Sequence, residues 1–146
     1  MFLAGPTPRS STVKSWRPEA IQIFQDLGFD GTLYIPEPDW VSGIVFEDFH
    51  KMGVTDDKII EWEHTYLLDA TAILMWVPRD LVTMPSFTTN IEFGLWAKSE
   101  KLVYGRPDNA PKNDYLDYCY RKFLKKEPIN DLKELIKVIV EDINYF

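Results

Sequence analysis

The run of six apolar residues from Ala72 to Val77 constrains the fold more than any other feature of the sequence. An apolar run of this length, with no alternating polar residues, is typical of a strand that is buried on both faces. Strands of this kind occur in parallel sheets that helices cover on both sides. We therefore predict a strand at 72–77 in the interior of a mainly parallel sheet.

Shorter apolar runs alternate with helical periodicities on either side of this strand. Pro18 fits a first helical position and Gly28 a helix stop, while Thr55 fits the N-cap of a later helix. This pattern predicts strands at 2–4, 32–36, 72–77 and 101–105, and helices at about 18–27, 55–68, 90–99, 115–124 and 132–143. Because strands alternate with helices, we expect an α/β protein with a parallel sheet of four or five strands and helices on both faces.

The charge balance limits the partners of the chain. Its 146 residues include 23 Asp and Glu against 16 Lys and Arg, and the net charge is −7. So acidic a chain is poorly suited to the phosphate backbone of a nucleic acid or to an anionic membrane surface. A small anionic ligand is compatible with it if a local pocket is basic. The length suits a single domain, residues 1–146.

Cysteine and histidine limit the chemistry. Cys119 is the sole cysteine, and the histidines are His50 and His64. The chain therefore has no internal disulfide and no zinc-finger spacing. The carboxylates of Asp and Glu are therefore the candidates for a catalytic acid, base or nucleophile. We expect neither a metal nor a redox cofactor. No segment reaches the roughly 20 apolar residues of a membrane span or resembles a signal peptide, so we expect a soluble, cytoplasmic protein.

Ligands of open α/β sheets bind beyond the carboxyl ends of the strands. The predicted loops at this edge are 5–17, 36–53 and 78–90. The first loop offers glycine, hydroxyls and two arginines, and its candidate binding residues are Gly5, Pro6, Arg9, Trp16 and Arg17. Backbone amides and arginines there could hold a phosphate or a sugar hydroxyl. The alternative is a solvated loop, since neither a Walker A motif nor G-x-G-x-x-G is present.

Glu92 has two interpretations. With Thr89 it fits a capping box, S/T-x-x-E, in which it only stabilises the start of a helix at about residue 90. The same position also faces the ligand crevice, since a helix that follows a strand's carboxyl end begins there. In that case the helix dipole would keep Glu92 ionised, and an ionised carboxylate at a cleft can act as a nucleophile.

Glu63 is a second candidate carboxylate. It lies four residues after Ile59 and three before Tyr66, so it shares the inward face of the helix predicted at 55–68. Two carboxylates near one sugar are what a glycosidic displacement needs. The alternative is an exposed acidic turn of the helix, because glutamate is rarely buried.

The end of the strand at 72–77 carries a further polar pair, Arg79 and Asp80. The two side chains either pair with each other, or Asp80 contacts a ligand from the end of the strand. The sequence favours neither alternative.

Several segments together resemble one known family. They are residues 2–9, 15–17, 61–63, 76–80, 84–94 and 112–116, and the most specific is Thr88-Thr89-Asn90-Ile91-Glu92-Phe93-Gly94. The chain is similar over residues 2–116 to the nucleoside 2-deoxyribosyltransferase superfamily, in its less-studied second branch. The better-known branch has Asp-Gly-Ser/Thr shortly before its glutamate, whereas this chain has Phe87-Thr88-Thr89-Asn90.

The resemblance implies a flavodoxin-like fold and cleavage of an N-glycosidic bond. It implies that Glu92 attacks the anomeric carbon and that Glu63 is the second acid. We expect Asp80 to contact the nucleobase and Asn90 to bind the substrate. The expected partners are a nucleoside or nucleotide and a free nucleobase. The family also implies a homo-oligomer, a dimer or larger, in which a neighbouring subunit completes the site.

The reaction expected on this basis is a double displacement. Glu92 forms a glycosyl-enzyme with a 2-deoxynucleoside, Glu63 or Asp80 assists the departing base, and a second base then attacks. One alternative is a nucleoside or nucleotide N-glycosidase, with water as acceptor and with Arg9 and Arg17 on a 5′-phosphate. Another is a nucleotide-binding module that turns nothing over.

Overall fold

Three short parallel strands form the sheet. The computed structural model describes residues 1–37 and 51–144. Within these ranges the strands are β1 (Phe2–Ala4), β2 (Ile73–Trp76) and β3 (Leu102–Gly105). They lie in the order β1-β2-β3, with Leu74 opposite Leu3 on one side and Val103 on the other. Every strand residue is buried, as the continuous apolar run at 72–77 predicts.

Five helices lie within the described ranges. They are α1 (Arg17–Asp26), α2 (Asp56–Asp69), α3 (Phe87–Trp96), α4 (Asp114–Leu124) and α5 (Leu132–Asn144). Pro18 sits in the first turn of α1, where its missing N–H costs no hydrogen bond. Gly28 follows α1 with a φ of +71°, a conformation that glycine adopts without strain. Among the helices of residues 1–37 and 51–144, we find none with the length and hydrophobicity that a membrane span requires.

The helices cover both faces of the sheet, as predicted. Successive strand residues point to opposite faces, so Leu3 and Phe2 belong to two different core clusters. The Leu3 face packs against α1 and α5, through residues such as Phe24 and Ile139. The Phe2 face packs against α2, α3 and α4, which contribute Leu67, Phe93, Leu116 and Tyr120.

The expected number of four or five strands is wrong for the described ranges, which hold three. Residues 32–36 form only one parallel bridge, between Tyr34 and Phe2. Pro36, at the end of the segment, has no N–H to extend the ladder of hydrogen bonds. Thr32, at its start, is exposed to solvent. A matching bridge joins Ile129 to Gly105 at the other edge. The loop predicted at 36–53 falls mostly on residues 38–50, which lie outside the described residues.

Gly5 ends β1 in a position that only glycine fits. Its φ is +141°, and a Cβ there would collide with the backbone carbonyl oxygen of Trp76. The same Cβ would lie 3.0 Å from Cζ2 of Trp16. The absence of a side chain therefore lets β1 turn into the following loop directly above β2.

Replacing Gly5 with alanine should destabilise the protein by about 3 kcal/mol, because strained backbone and overpacking act together. Gly94→Ala is the matched control, since a Cβ at Gly94, inside α3, meets nothing within 4 Å. This control should stabilise by about 1 kcal/mol through helix propensity alone. Urea unfolding of the two variants measures both changes, and equal free energies of unfolding would contradict the prediction.

Candidate active site

A buried arginine organises the loop after β1. The Arg17 side chain is completely buried and donates four hydrogen bonds. Its Nε bonds the carbonyl of Leu3 at 3.1 Å, and Nη2 bonds the carbonyl of Gly5 at 2.8 Å. Its Nη1 bonds Thr7 Oγ1 and Glu37 Oε2, both at 2.9 Å. A guanidinium has five N–H donors, so four of them are already used within the chain.

Glu37 is the counter-charge of Arg17, and sequence reasoning missed it. The carboxylate is buried, forms the ion pair with Arg17 and also accepts hydrogen bonds from Ser15 Oγ at 2.9 and 3.0 Å. The only signal in the sequence is its place directly after residues 32–36, at the carboxyl edge of the predicted sheet. Because four of its five donors are already used, Arg17 influences neighbouring groups mainly through its positive charge.

Two glutamates from different helices lie within electrostatic range of this arginine. Glu92 on α3 is buried and Glu63 on α2 is half-buried. Burial and then the negative charge of Glu63 raise the pKa of Glu92 to about 7, against the opposing positive charge of Arg17. Burial also raises the pKa of Glu63, again against the effect of Arg17. The structure thus places the two carboxylates that the sequence singled out within electrostatic range of each other.

The capping-box interpretation of Glu92 is wrong. Helix α3 begins at Phe87, three residues earlier than predicted, because Ser86 turns the chain with a left-handed φ of 66°. Thr89 is therefore the third helical residue and Glu92 the sixth, beyond the first turn in which the dipole is felt. The expectation that the dipole keeps Glu92 ionised is also wrong. Glu92 lies beyond the first turn of the helix, and burial raises its pKa.

The interpretation of Glu63 as part of an exposed acidic turn is also wrong. Its neighbours Glu61 and His64 are exposed, whereas Glu63 itself is half-buried. The helical spacing from Ile59 to Tyr66 correctly predicted an inward direction for this side chain, since both of those residues are partly buried as well.

Asp80 organises a turn and does not pair with Arg79. Its Oδ1 accepts hydrogen bonds from the backbone N–H of Val82 at 3.0 Å and of Thr83 at 2.7 Å, and from Thr83 Oγ1 at 2.9 Å. These bonds stabilise the ionised form and lower the pKa of Asp80. Asp80 is exposed at the carboxyl edge of the sheet, with Oδ1 committed to the turn.

Arg79 fixes the direction of Asn90, a contact that the sequence did not predict. Its Nη2 lies 2.6 Å from Asn90 Oδ1. Since a guanidinium has no acceptor, the amide oxygen of Asn90 must face Arg79 and the NH2 group is left as the donor. Arg79 is buried, and its Nε has no hydrogen-bond partner among the described residues.

The remaining candidates lie in the loop after β1. Trp16 is a core residue whose Nε1 donates to the carbonyl of Pro6 at 3.1 Å, and the Arg17 guanidinium lies 4.8 Å from its ring centroid. Pro6 is buried and Gly5 half-buried, whereas Arg9 is exposed. The structure therefore places Gly5, Pro6, Trp16 and Arg17 together and leaves Arg9 at the surface.

Comparison with known families decides the relationship. The family described as nucleoside 2-deoxyribosyltransferase like matches residues 1–110. The chain belongs to this family. The resemblance predicted from the sequence segments is therefore confirmed, and the matched region holds every candidate site residue from Gly5 to Glu92. No curated protein matches the chain.

The raised pKa of Glu92 makes the stability of the protein depend on pH. Between its ordinary pKa of 4.5 and about 7, the folded chain keeps the proton that the unfolded chain has lost. The free energy of unfolding should therefore fall by about 3 kcal/mol as pH rises through this range. Glu92→Gln removes the ionisation, so the variant should exceed the wild type in stability at pH 8 and approach it near pH 4.

Denaturant unfolding from pH 4 to 8 measures this difference. Glu61→Gln is the matched control, because Glu61 is exposed on α2 and should leave the pH dependence unchanged. Parallel stability curves for wild type and Glu92→Gln would contradict a raised pKa at Glu92.

Proposed function

We propose that this protein transfers a 2-deoxyribosyl group between nucleobases through a covalent glycosyl ester on Glu92. The observation that carries the proposal is a buried Glu92 that lies within electrostatic range of Glu63 and of the buried Arg17, in a member of the nucleoside 2-deoxyribosyltransferase like family. Two neighbouring carboxylates, one ionised and one protonated, suit displacement at a sugar carbon.

The topology supports the position of the site. The single bridges at Tyr34 and Ile129 add one segment at each edge of the three-stranded sheet. When the five segments are numbered along the chain, with Tyr34 as the second and Ile129 as the fifth, their order across the sheet is 2-1-3-4-5. This is the order of flavodoxin, in which the ligand lies beyond the carboxyl ends of the strands where the order reverses. In this chain that point lies between β1, which leads to Gly5 and Arg17, and β2, which leads to α3 and Glu92.

In the first step a carboxylate oxygen of Glu92 attacks C1′ of the deoxynucleoside. The bond from C1′ to the base nitrogen breaks, and its electron pair leaves with the base. Glu63 supplies the proton that the departing base requires, so the attack proceeds from the state in which Glu63 holds a proton and Glu92 is ionised; burial favours the protonated form of both carboxyls, and Arg17 opposes that effect at Glu92. Arg17 favours the ionised form of both carboxyls, and so the negative charge that the attack needs.

In the second step a nitrogen of an incoming base attacks C1′ and displaces Glu92. Glu63 accepts the proton from the incoming base, so both carboxylates return to their starting states. The two inversions give retention at C1′. Water in place of the second base would give the N-glycosidase reaction at the same residues.

The surrounding residues have different roles in substrate binding. The NH2 group of Asn90 donates to a substrate oxygen, and the Oδ2 atom of Asp80 accepts from a nucleobase N–H. Gly5 and Pro6 shape the floor over Trp16, and exposed Arg9 suits an anionic substituent. Arg17 acts on the carboxylates through its charge, because four of its donors are occupied.

Glu92→Gln should lower base exchange by at least about a thousandfold, because the reaction path through the ester is lost. Glu63→Gln should retain the nucleophile but slow the departure of the base. Glu61→Gln is the matched control. Glu61 lies two residues before Glu63 on the same helix and is exposed, so this variant should keep wild-type rates. Chromatography of nucleoside and free base measures all three, and near-normal exchange by Glu92→Gln would exclude the mechanism.

The acceptor is tested in the same assay. A deoxynucleoside incubated with a second free base should give the exchanged nucleoside, and intact-protein mass spectrometry should show a sugar adduct on the wild type that Glu92→Gln lacks. Release of base and free sugar at a rate independent of the added base would favour the N-glycosidase. Binding without release of base would favour a non-catalytic module.

We also propose that the protein is a homo-oligomer. Phe87, Ile91 and Leu95 follow one another at four-residue spacing on the outer face of α3, with 69%, 65% and 58% of their surfaces exposed. Contiguous exposed apolar surface of this kind marks interfaces, and a stripe along one helix can pack against its own copy about a two-fold axis.

Ile91→Lys should shift the protein towards the monomer, because it places a charge in the middle of this stripe. Leu68→Lys is the matched control, since Leu68 is 66% exposed on α2, outside the stripe. Light scattering at micromolar concentration measures the mass of both variants and of the wild type. A monomeric wild type would contradict the assembly.

A further inference from the structure

A cavity of about 740 Å³ lies at the amino ends of β2 and β3, at the opposite edge of the sheet from Glu92. The ends of α4 and α5 form its walls, and it shares no lining residue with the candidate active site. Its volume falls in the range of small-molecule sites, about 300–1,000 Å³. The family relationship and the proposed reaction leave this cavity without a role.

The interior of the cavity is apolar. Val103 of β3, Leu124 of α4 and Ile139 and Ile143 of α5 line it. Phe123 adds an aromatic ring that is 41% exposed. Such a surface favours a ligand with an apolar body, because burial of that body removes apolar area from water on both sides.

The rim of the cavity is basic. Four lysines line it, together with two acids: Lys98, Lys101, Lys125, Lys126, Glu100 and Asp142. The local charge is therefore +2 in a chain whose net charge is −7. This reversal of sign favours an anion at the rim.

Two of the four lysines are available to a ligand. Lys101 Nζ donates to the carbonyl of Leu68 at 2.8 Å, and Lys126 pairs with Asp142 at 3.5 Å. Lys98 lies over the Phe123 ring, 4.9 Å from its centroid, and has no hydrogen-bond acceptor among the described residues. The Lys125 side chain likewise has no acceptor in the described part of the chain.

Lysines also gather at helix ends because the carbonyl end of a helix is negative. That effect accounts for a lysine such as Lys125 at the end of α4, but it does not require an apolar cavity between the lysines. We propose that the cavity binds a small amphipathic anion, with its apolar body against Phe123, Leu124 and Ile143, which line the cavity and are at least partly accessible, and its acidic group between Lys98 and Lys125. The proposal is independent of the reaction at Glu92.

Decanoate is the probe that tests the proposal on the full chain. Methyl NMR signals of Val103, Ile139 and Ile143 should shift and saturate as decanoate is added. Decyltrimethylammonium has the same tail and the opposite charge, and acetate has the charge without the tail. Both should bind at least about tenfold more weakly than decanoate. Equal binding of the cationic probe, or no saturable shift with decanoate, would overturn the proposal.

Charge reversal locates the anionic group. Lys98→Glu and Lys125→Glu should each weaken decanoate binding about tenfold, and Lys98→Gln should have a smaller effect. Lys133→Glu is the matched control, because Lys133 is exposed on α5 and does not line the cavity. If Lys133→Glu weakens binding as much as the rim variants do, only the net charge matters and the site is excluded. Unchanged near-ultraviolet circular dichroism confirms that each variant is folded.

Discussion

The buried charge of Arg17 is the constraint on which the rest of this site depends. A guanidinium without solvent must be paired and hydrogen-bonded, and Arg17 meets this demand with the carbonyls of Leu3 and Gly5, with Thr7 and with Glu37. These bonds join β1 to the loop that follows it. Loss of one partner of such a buried pair typically costs about 3–5 kcal/mol, so the loop and the strand edge are held as one unit.

The same charge makes a pair of buried acids tolerable. Burial raises the cost of ionising both glutamates and the charge of Glu63 adds to that cost at Glu92, while Arg17 lowers it for both. Arg17 therefore favours a negative charge on the pair. An arginine whose donors are engaged within the protein can in this way favour the ionised forms of carboxyls that it does not bond.

The sequence was informative where the signal is local. The apolar run at 72–77 specifies a buried strand, and the spacing around Glu63 specifies its inward direction. It was uninformative where the outcome depends on a distant partner or on one backbone angle. The 32–36 segment pairs at a single residue, Glu37 meets Arg17 from 20 residues away, and the left-handed Ser86 starts α3 three residues early. None of these three features produces a periodic pattern of apolar residues in the sequence.

Helix α3 carries Glu92 on its inner face and the apolar residues Phe87, Ile91 and Leu95 on its outer face. Protein interiors are close-packed and transmit strain, so the two faces of α3 are mechanically connected. A contact that displaced the outer face would alter the burial of Glu92, on which its pKa depends. By thermodynamic linkage the protonation of Glu92 would then change, to the same extent, how tightly that contact is held.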